Sequence, residues 1–477
     1  MKKGQGGFYG GNQRQIPLNP PFSKGDLKTA SVAAHVVMKY ITRFFLARNT
    51  ILALILSALS AMLTASFVPQ AFLLSPAGRA KWHADYPRLA PLAESLGLTH
   101  IYTHPLFALI LLLSVLSLSF SCREQIRLAL LRTFGDAAGV EGDGVVTALD
   151  VAGVSALLAG EGYRPVLRGA ANRMVRHPWG YWGNVLFHAG VLVVIVSSLW
   201  IALTQQRGSV DLGEGETFGP GREWPTQELG LLARPFVLDR GVRLDRVEYE
   251  FLPSHGVKRV ASELTFFDSA APAASRGVAV NEPLDYEGLR IYQRLEFGHA
   301  FYITVTTPDG ERSLVQLLLA HPDKPDAASY ADYPDRLGKN KMLRVKYFTD
   351  AEKRSLNHEN PLLVLRLDQS GTELGQLSLT PGKEGTIGGY GFRLEKTGRW
   401  SSLTFVKLSG IPGIFAGFFI ICLGGALHYF TPPREAMVHP LPGGGARIFW
   451  KASRFPEFYR EEFESLTARL TGENTDG

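Results

Sequence analysis

Cysteine is nearly missing: Cys122 and Cys422 are the two in 477 residues, and neither CxxC nor CxxCH occurs. That pattern excludes thioredoxin-type redox chemistry and covalent c-type haem attachment to this chain. Both cysteines fall inside or beside apolar runs on the side read below as cytoplasmic, so no disulfide between them is expected. A Gly-rich phosphate loop is also lacking, Gly213-Glu214-Gly215-Glu216 reads as a turn, and no Asp/Glu spacing singles out acid–base catalysis. The formal charge is +6 and the pI near 9.1, yet the basic residues form no stripe interleaved with aromatics, so no nucleic-acid partner is implied.

The most informative absence is local. Ile51 to Val68, Ile101 to Phe120, Val185 to Leu203 and Ile411 to Phe430 contain no Lys, Arg, Asp or Glu. Each is about long enough to cross a hydrocarbon core of roughly 30 Å at 1.5 Å per residue. A signal-peptide reading of the first, with small residues from Ser57 to Ala65, competes with a span, but the apolar run continues through Phe67 and Val68. Basic residues gather at one set of ends: Lys39, Arg43 and Arg48; then Arg123, Arg127 and Arg132; then Arg164, Arg168, Arg173 and Arg176. The loop between the first two spans has only Arg79, Lys81 and Arg88, so the positive-inside bias places both termini and the 121–184 loop in the cytoplasm.

The resulting division is a disordered tail over 1–37, with Met1 and Met38 both open as starts, and two transmembrane helices with a short external loop over 38–122. A cytoplasmic loop or small subdomain follows over 123–184, then a third transmembrane helix over 185–204. An extracytoplasmic β-rich domain occupies 205–408, a fourth transmembrane helix 409–430, and a cytoplasmic C-terminal tail 431–477. The fold class is thus an integral membrane α-helical protein with four transmembrane helices and a large, mostly antiparallel, extracytoplasmic β domain.

The β assignment rests on apolar faces at period two: Val247, Tyr249 and Phe251; Leu289, Ile291, Leu295 and Phe297; Phe301, Ile303 and Val305. Turns such as Pro308-Asp309-Gly310 separate them, and about ten strands are expected. Arg123 to Phe134 reads as a helix leaving the bilayer or lying in its interface, and Thr147 to Gly162 as a short helix with a Gly stop.

Histidines are the candidate chemistry. His188 sits near the start of the third span and His428 near the end of the fourth, so both are expected toward the cytoplasmic leaflet, where an antiparallel helix pair brings them face to face. An ionisable side chain inside a membrane is costly, and neutral imidazole is a common axial ligand of haem iron. Ala189, Gly190, Gly424, Gly425 and Ala426 leave room for close helix approach or a flat macrocycle. The competing reading is an interfacial histidine bonded to headgroups or a neighbouring helix. His100 and His104 are spaced i, i+4 before the second span, but Pro105 points to a helix start there, with interface anchoring favoured over metal or haem binding. Trp179, Tyr181 and Trp182 read as interface anchors, or as walls of a porphyrin site.

Several segments resemble the ResB/CcsB family. They are Thr64-Ala65-Ser66-Phe67-Val68-Pro69-Gln70, Leu96-Gly97-Leu98, and Trp182-Gly183-Asn184-Val185-Leu186-Phe187-His188-Ala189-Gly190. The most specific, Val280-Asn281-Glu282-Pro283-Leu284-Asp285-Tyr286-Glu287-Gly288-Leu289-Arg290-Ile291-Tyr292-Gln293, is similar to an external VN-P-L-Y-G-IYQ signature. Ile411-Pro412-Gly413-Ile414 is similar to a DPG helix start, with Ile replacing Asp.

The resemblance implies a System II subunit of cytochrome c biogenesis. Its partner would be a CcsA/ResC-type membrane protein that carries the tryptophan-rich haem-presenting motif, and its acceptor an apocytochrome c kept reduced indirectly by a thioredoxin-like protein. Haem b would be bound and transported through His188 as axial iron ligand, with the opposite ligand on CcsA or, alternatively, on His428. No catalytic residue is assigned, and the chain reads as a non-catalytic or co-catalytic subunit of a haem lyase complex. The alternatives are a b-type haem electron-transfer subunit and a membrane-anchored protein that binds an external ligand.

Overall fold

The computed structural model describes residues 36–74, 76–135, 144–166, 172–268, 271–357 and 360–472. The expected tail over 1–37 lies outside them except for its last two residues, which begin a helical stretch over 36–46.

Four helices are long and apolar enough to cross a membrane: Arg48–Phe67, Pro105–Phe134, Gly183–Thr204 and Ile411–Phe430. The second begins later than its apolar run suggests. Pro105 occupies its first turn, and the Nδ1 of His104 accepts from the Leu106 amide at 3.2 Å, so the helix is capped there while Leu98–Thr103 winds as a 3₁₀ segment. It also continues through Arg132 to Phe134 as one helix, taking up the interfacial segment expected to follow it.

The third and fourth helices pack along a seam of glycines. A Cβ on Gly190 would stand 2.7 Å from the Gly417 carbonyl oxygen, one on Gly424 2.4 Å from the Phe187 amide nitrogen, and one on Gly183 2.6 Å from the His428 nitrogen. Only residues without a side chain let two backbones approach this closely. Sheets close both ends of the pair. Strand Arg173–Arg176 before the third helix pairs with Arg434–Pro440 after the fourth, and Gln206–Gly213 after the third pairs with Tyr390–Lys407 before the fourth.

The smaller sheet has five strands, in the order Val145–Thr147, Ala446–Ala452, Arg434–Pro440, Arg173–Arg176 and Arg164–Pro165. Helices Val151–Gly160 and Arg460–Thr471 place Val154, Leu158, Leu466 and Leu470 against Met174, Ala436, Val438 and Ile448 in one buried core. This corrects the expected C-terminal tail: residues 434–471 fold together with the 145–176 segment. Neither half has enough apolar surface to bury a core alone, so each looks subordinate in sequence. Arg173, 1% exposed, joins the halves: it bonds Glu435 and donates to the carbonyls of Gly135 and Arg132.

The large domain has fifteen strands among the described residues, in antiparallel sheets of seven, four and four. That exceeds the expected ten because strands such as Leu362–Gln369, whose run Leu-Leu-Val-Leu puts apolar residues on the partly covered face as well as the buried one, lack the sequence alternation that flags a strand. Two 18-residue strands, Leu289–Thr306 and Tyr390–Lys407, run side by side through the whole domain. Their helix-proximal halves cover a core of Val210, Phe218, Trp224, Val242, Leu264 and Phe405. Their distal halves cover Phe301, Leu317, Val345, Leu365 and Phe392. Trp224 lies over Gly208, where a Cβ would come within 2.2 Å of the ring, and its Nε1 donates to the Phe236 carbonyl.

Candidate functional site

His188 lies on the third helix, half-buried. Its Nδ1 is 2.8 Å from the Asn184 carbonyl oxygen one turn earlier. A carbonyl can only accept, so Nδ1 carries the proton and the neutral ring keeps its lone pair on Nε2. This is the arrangement that prepares an imidazole to ligate a metal through Nε2. Asn184 is fixed in turn, its Nδ2 donating to Gln125 Oε1 on the second helix at 2.7 Å.

His188 and His428 are not brought face to face. The seam with the fourth helix is centred on Gly183, Gly190 and Val194. At roughly 100° per residue, His188 is about 140° around the helix from that line. It shares the Asn184 stripe, which faces the second helix. His428 lies on the seam through its backbone, with its carbonyl accepting from Arg454 Nη1 at 3.1 Å. The sequence sets where each histidine stands along its helix, but the glycines fix the helix rotation, and they assign the two imidazoles to different faces.

His104 has the opposite tautomer. Its Nδ1 accepts the Leu106 amide proton, so the neutral ring holds its own proton on Nε2, and the ring packs against Gly97, where a Cβ would be 2.7 Å away. His100 Nδ1 is 4.0 Å from the Glu228 carboxylate, at the contact between the inter-span loop and the large domain. This pair therefore builds a helix start and a loop contact. Of the three aromatics before the third helix, Trp179 is exposed as an anchor would be. Tyr181 is buried with its hydroxyl on Glu435, and Trp182 packs beside the cluster of Ala129, Val175 and Val185.

The signature Val280 to Gln293 forms a hairpin. Leu284–Tyr286 pairs with the start of Leu289–Thr306 through Glu287 and Gly288, both at positive φ, as a two-residue type I′ turn requires. Gln293 ends the motif in the core, accepting from Ser262 Oγ at 2.6 Å and donating to Ser401 Oγ at 3.0 Å. Directly after it the strand bulges: Gln293 faces Leu403 and Phe297 faces Ser401, leaving three residues opposite one. The bulge directs Arg294 onto the Phe72 and Leu73 carbonyls while Glu296 holds the guanidinium, clasping the loop after the first helix to the large domain.

No sequence motif marks this clasp. Arg207, whose guanidinium lies 3.7 Å over the Phe72 ring, and Glu228, bonded by Thr103 Oγ1 at 3.0 Å, complete it. These residues are scattered from 72 to 296 and share no motif. His299 likewise belongs to no motif. It is 2% exposed and meets the Tyr347 hydroxyl where the two cores join, a buried hydrogen bond with no metal set around it. Among the described residues no group of three or more His, Cys, Asp or Glu could hold a metal ion.

The chain is 26% identical over 249 residues to cytochrome c biogenesis protein CcsB of Synechococcus sp. (strain WH7803), covering 51% of each chain. It is 26% identical over 263 residues to the CcsB of Synechococcus sp. (strain CC9311), covering 54% of each. Against cytochrome c biogenesis protein CCS1, chloroplastic, of Arabidopsis thaliana, identity is 23% over 46% of this chain and 41% of that one. The chain thus spans about half the length of the curated relatives it matches. The solved cytochrome c heme lyase CcmF overlays loosely, at TM-score 0.20 and 11% identity over 74% of this chain and 44% of that one, and carries no argument here. The ResB-like family model matches residues 48–464, through all four apolar helices and both sheet domains, and the chain belongs to the ResB-like family.

Proposed function

We propose that this membrane protein acts in cytochrome c biogenesis as a haem-handling subunit, working with a CcsA/ResC-type partner to present haem to apocytochrome c outside the cytoplasmic membrane. The family match and the names of the CcsB relatives support the process. The observation that carries the residue assignment is the His188 tautomer, with Nδ1–H on the Asn184 carbonyl and the Nε2 lone pair available.

Haem b is the cargo in this reading, and His188 Nε2 is its axial ligand from this chain. Because His188 lies away from the glycine seam, the opposite ligand comes from outside the third–fourth helix pair, which fits a partner helix better than His428. The same separation counts against a b-type redox subunit with haem held between these two histidines. The basic ends of the helices orient the five-stranded domain and both termini to the cytoplasm and the fifteen-stranded domain to the periplasmic side. There the large domain, held to the helices by strands at both ends, is placed to meet the acceptor protein. A thioredoxin-like protein that keeps the acceptor cysteines reduced would act on the acceptor rather than on this chain.

The test is co-expression with a CcsA-type partner and a CxxCH reporter. Wild type is expected to yield holocytochrome and to co-purify with haem absorbance, and His188→Ala to lose both. Unchanged haem content in the alanine variant would overturn the ligand assignment, and no holocytochrome from wild type would overturn the function.

A further inference from the structure

Where the large domain meets the helices, a recess of about 440 Å³ opens between the bulge and the inter-span loop, lined by Phe72, Arg207, Tyr292, Leu295, Val406 and Leu408 among others. Its two arginines differ. Arg294 is fully engaged by Glu296 and by the Phe72 and Leu73 carbonyls. Arg207 is 17% exposed at its side chain, 3.7 Å from the Glu228 carboxylate and stacked on Phe72; among the described residues none accepts a hydrogen bond from it. A guanidinium has five N–H donors in a planar fork, and those of Arg207 line the open recess, where they can take an acceptor from outside this chain. Apart from Glu296 and Thr404 the remaining walls are mainly apolar, and Leu295, pushed out by the bulge, is 64% exposed.

Height in the membrane identifies what meets those donors. Arg207 follows the end of the third helix at Thr204 by three residues, and Leu408 precedes the start of the fourth at Ile411 by three. Three extended residues rise roughly 10 Å, which sets the recess at the headgroup layer. Its charges balance, two arginines against Glu228 and Glu296, so selection there rests on hydrogen-bond geometry and apolar contact rather than net charge. Phosphate matches the guanidinium fork with two parallel bonds.

We propose that this recess binds a membrane phospholipid, with its phosphate on Arg207 and its glycerol and upper acyl chain against Leu295, Val406 and Leu408. The bound lipid completes the joint between the large domain and the inter-span loop, which Arg294 clasps from the other side. This site lies at the opposite end of the helices from His188 and does not depend on haem binding.

The experiment is native mass spectrometry of the full chain, purified in maltoside detergent and titrated with phosphatidylglycerol or with a galactosyl diacylglycerol of the same acyl chains, which lacks phosphate. Wild type is expected to saturate with one phosphatidylglycerol that the galactolipid does not displace. Arg207→Gln is expected to weaken that binding about tenfold, the scale of losing a charge-assisted bond. Arg290→Gln, an exposed arginine outside the recess, is expected to leave it unchanged. Equal competition by the galactolipid, or wild-type retention in Arg207→Gln, would overturn the site; the wild-type competition decides the matter even if the variant fails to fold. Haem occupying the recess in place of lipid would overturn it as well, and haem content read separately on His188→Ala keeps this outcome distinct from the proposed function.

Discussion

The Asn184 carbonyl accepts the Nδ1 proton of His188 at 2.8 Å, and this bond separates His188 from the histidine at the start of the second helix. His104 spends its Nδ1 lone pair on the Leu106 amide. One ring therefore presents a lone pair at Nε2 and the other a proton. His188→Ala is expected to remove co-purified haem absorbance, whereas His104→Asn, which retains a side-chain acceptor for the cap, is expected to keep it. Absorbance spectra of both variants at equal protein concentration check the contrast.

Gly190 and Gly424 are predicted to tolerate no side chain. Any Cβ there meets backbone of the facing helix, which cannot rotate aside. Gly424→Val is expected to cost about 1–3 kcal/mol by overpacking and to lower the melting temperature in detergent. Gly425→Ala one position on, where a Cβ has open space, serves as the control and is expected to leave it unchanged.

Arg173 ties the two halves of the small domain through Glu435 and two carbonyls at the end of the second helix. Arg173→Ala strands a largely buried carboxylate and is expected to cost about 3–5 kcal/mol. Limited proteolysis checks it: cleavage within 431–471 should rise sharply in the variant while the large domain stays resistant.

Asp211 provides the pH test. Burial raises its carboxyl pKa, and the Ser402 hydrogen bond opposes this only in part. A carboxyl raised in the folded state contributes most to stability below its unfolded pKa, and that contribution is lost as pH rises through the folded value. Asp211→Asn is therefore expected to melt above wild type at about pH 7.5, with the gap closing as pH falls toward about 4. A gap independent of pH would refute the assignment to ionisation.

The sequence by itself determined the four apolar helices, because a charge-free run of that length has few other stable settings, and much of the β domain, because alternation records which face is wet. It fixed how far His188 and His428 stand from the ends of their helices, since that is counted along the chain. Helix rotation was decided elsewhere: Gly183, Gly190, Gly417 and Gly424 read as small residues until the partner backbone is seen lying on them. The small domain was hidden for the same reason, its strands standing more than 250 residues apart and completing a core only together. The clasp of Arg207, Glu228 and Arg294 leaves no local pattern at all, because an ion pair or a cation over a ring depends on positions in space, and only the tertiary structure brings residues 72, 207, 228 and 294 to one place.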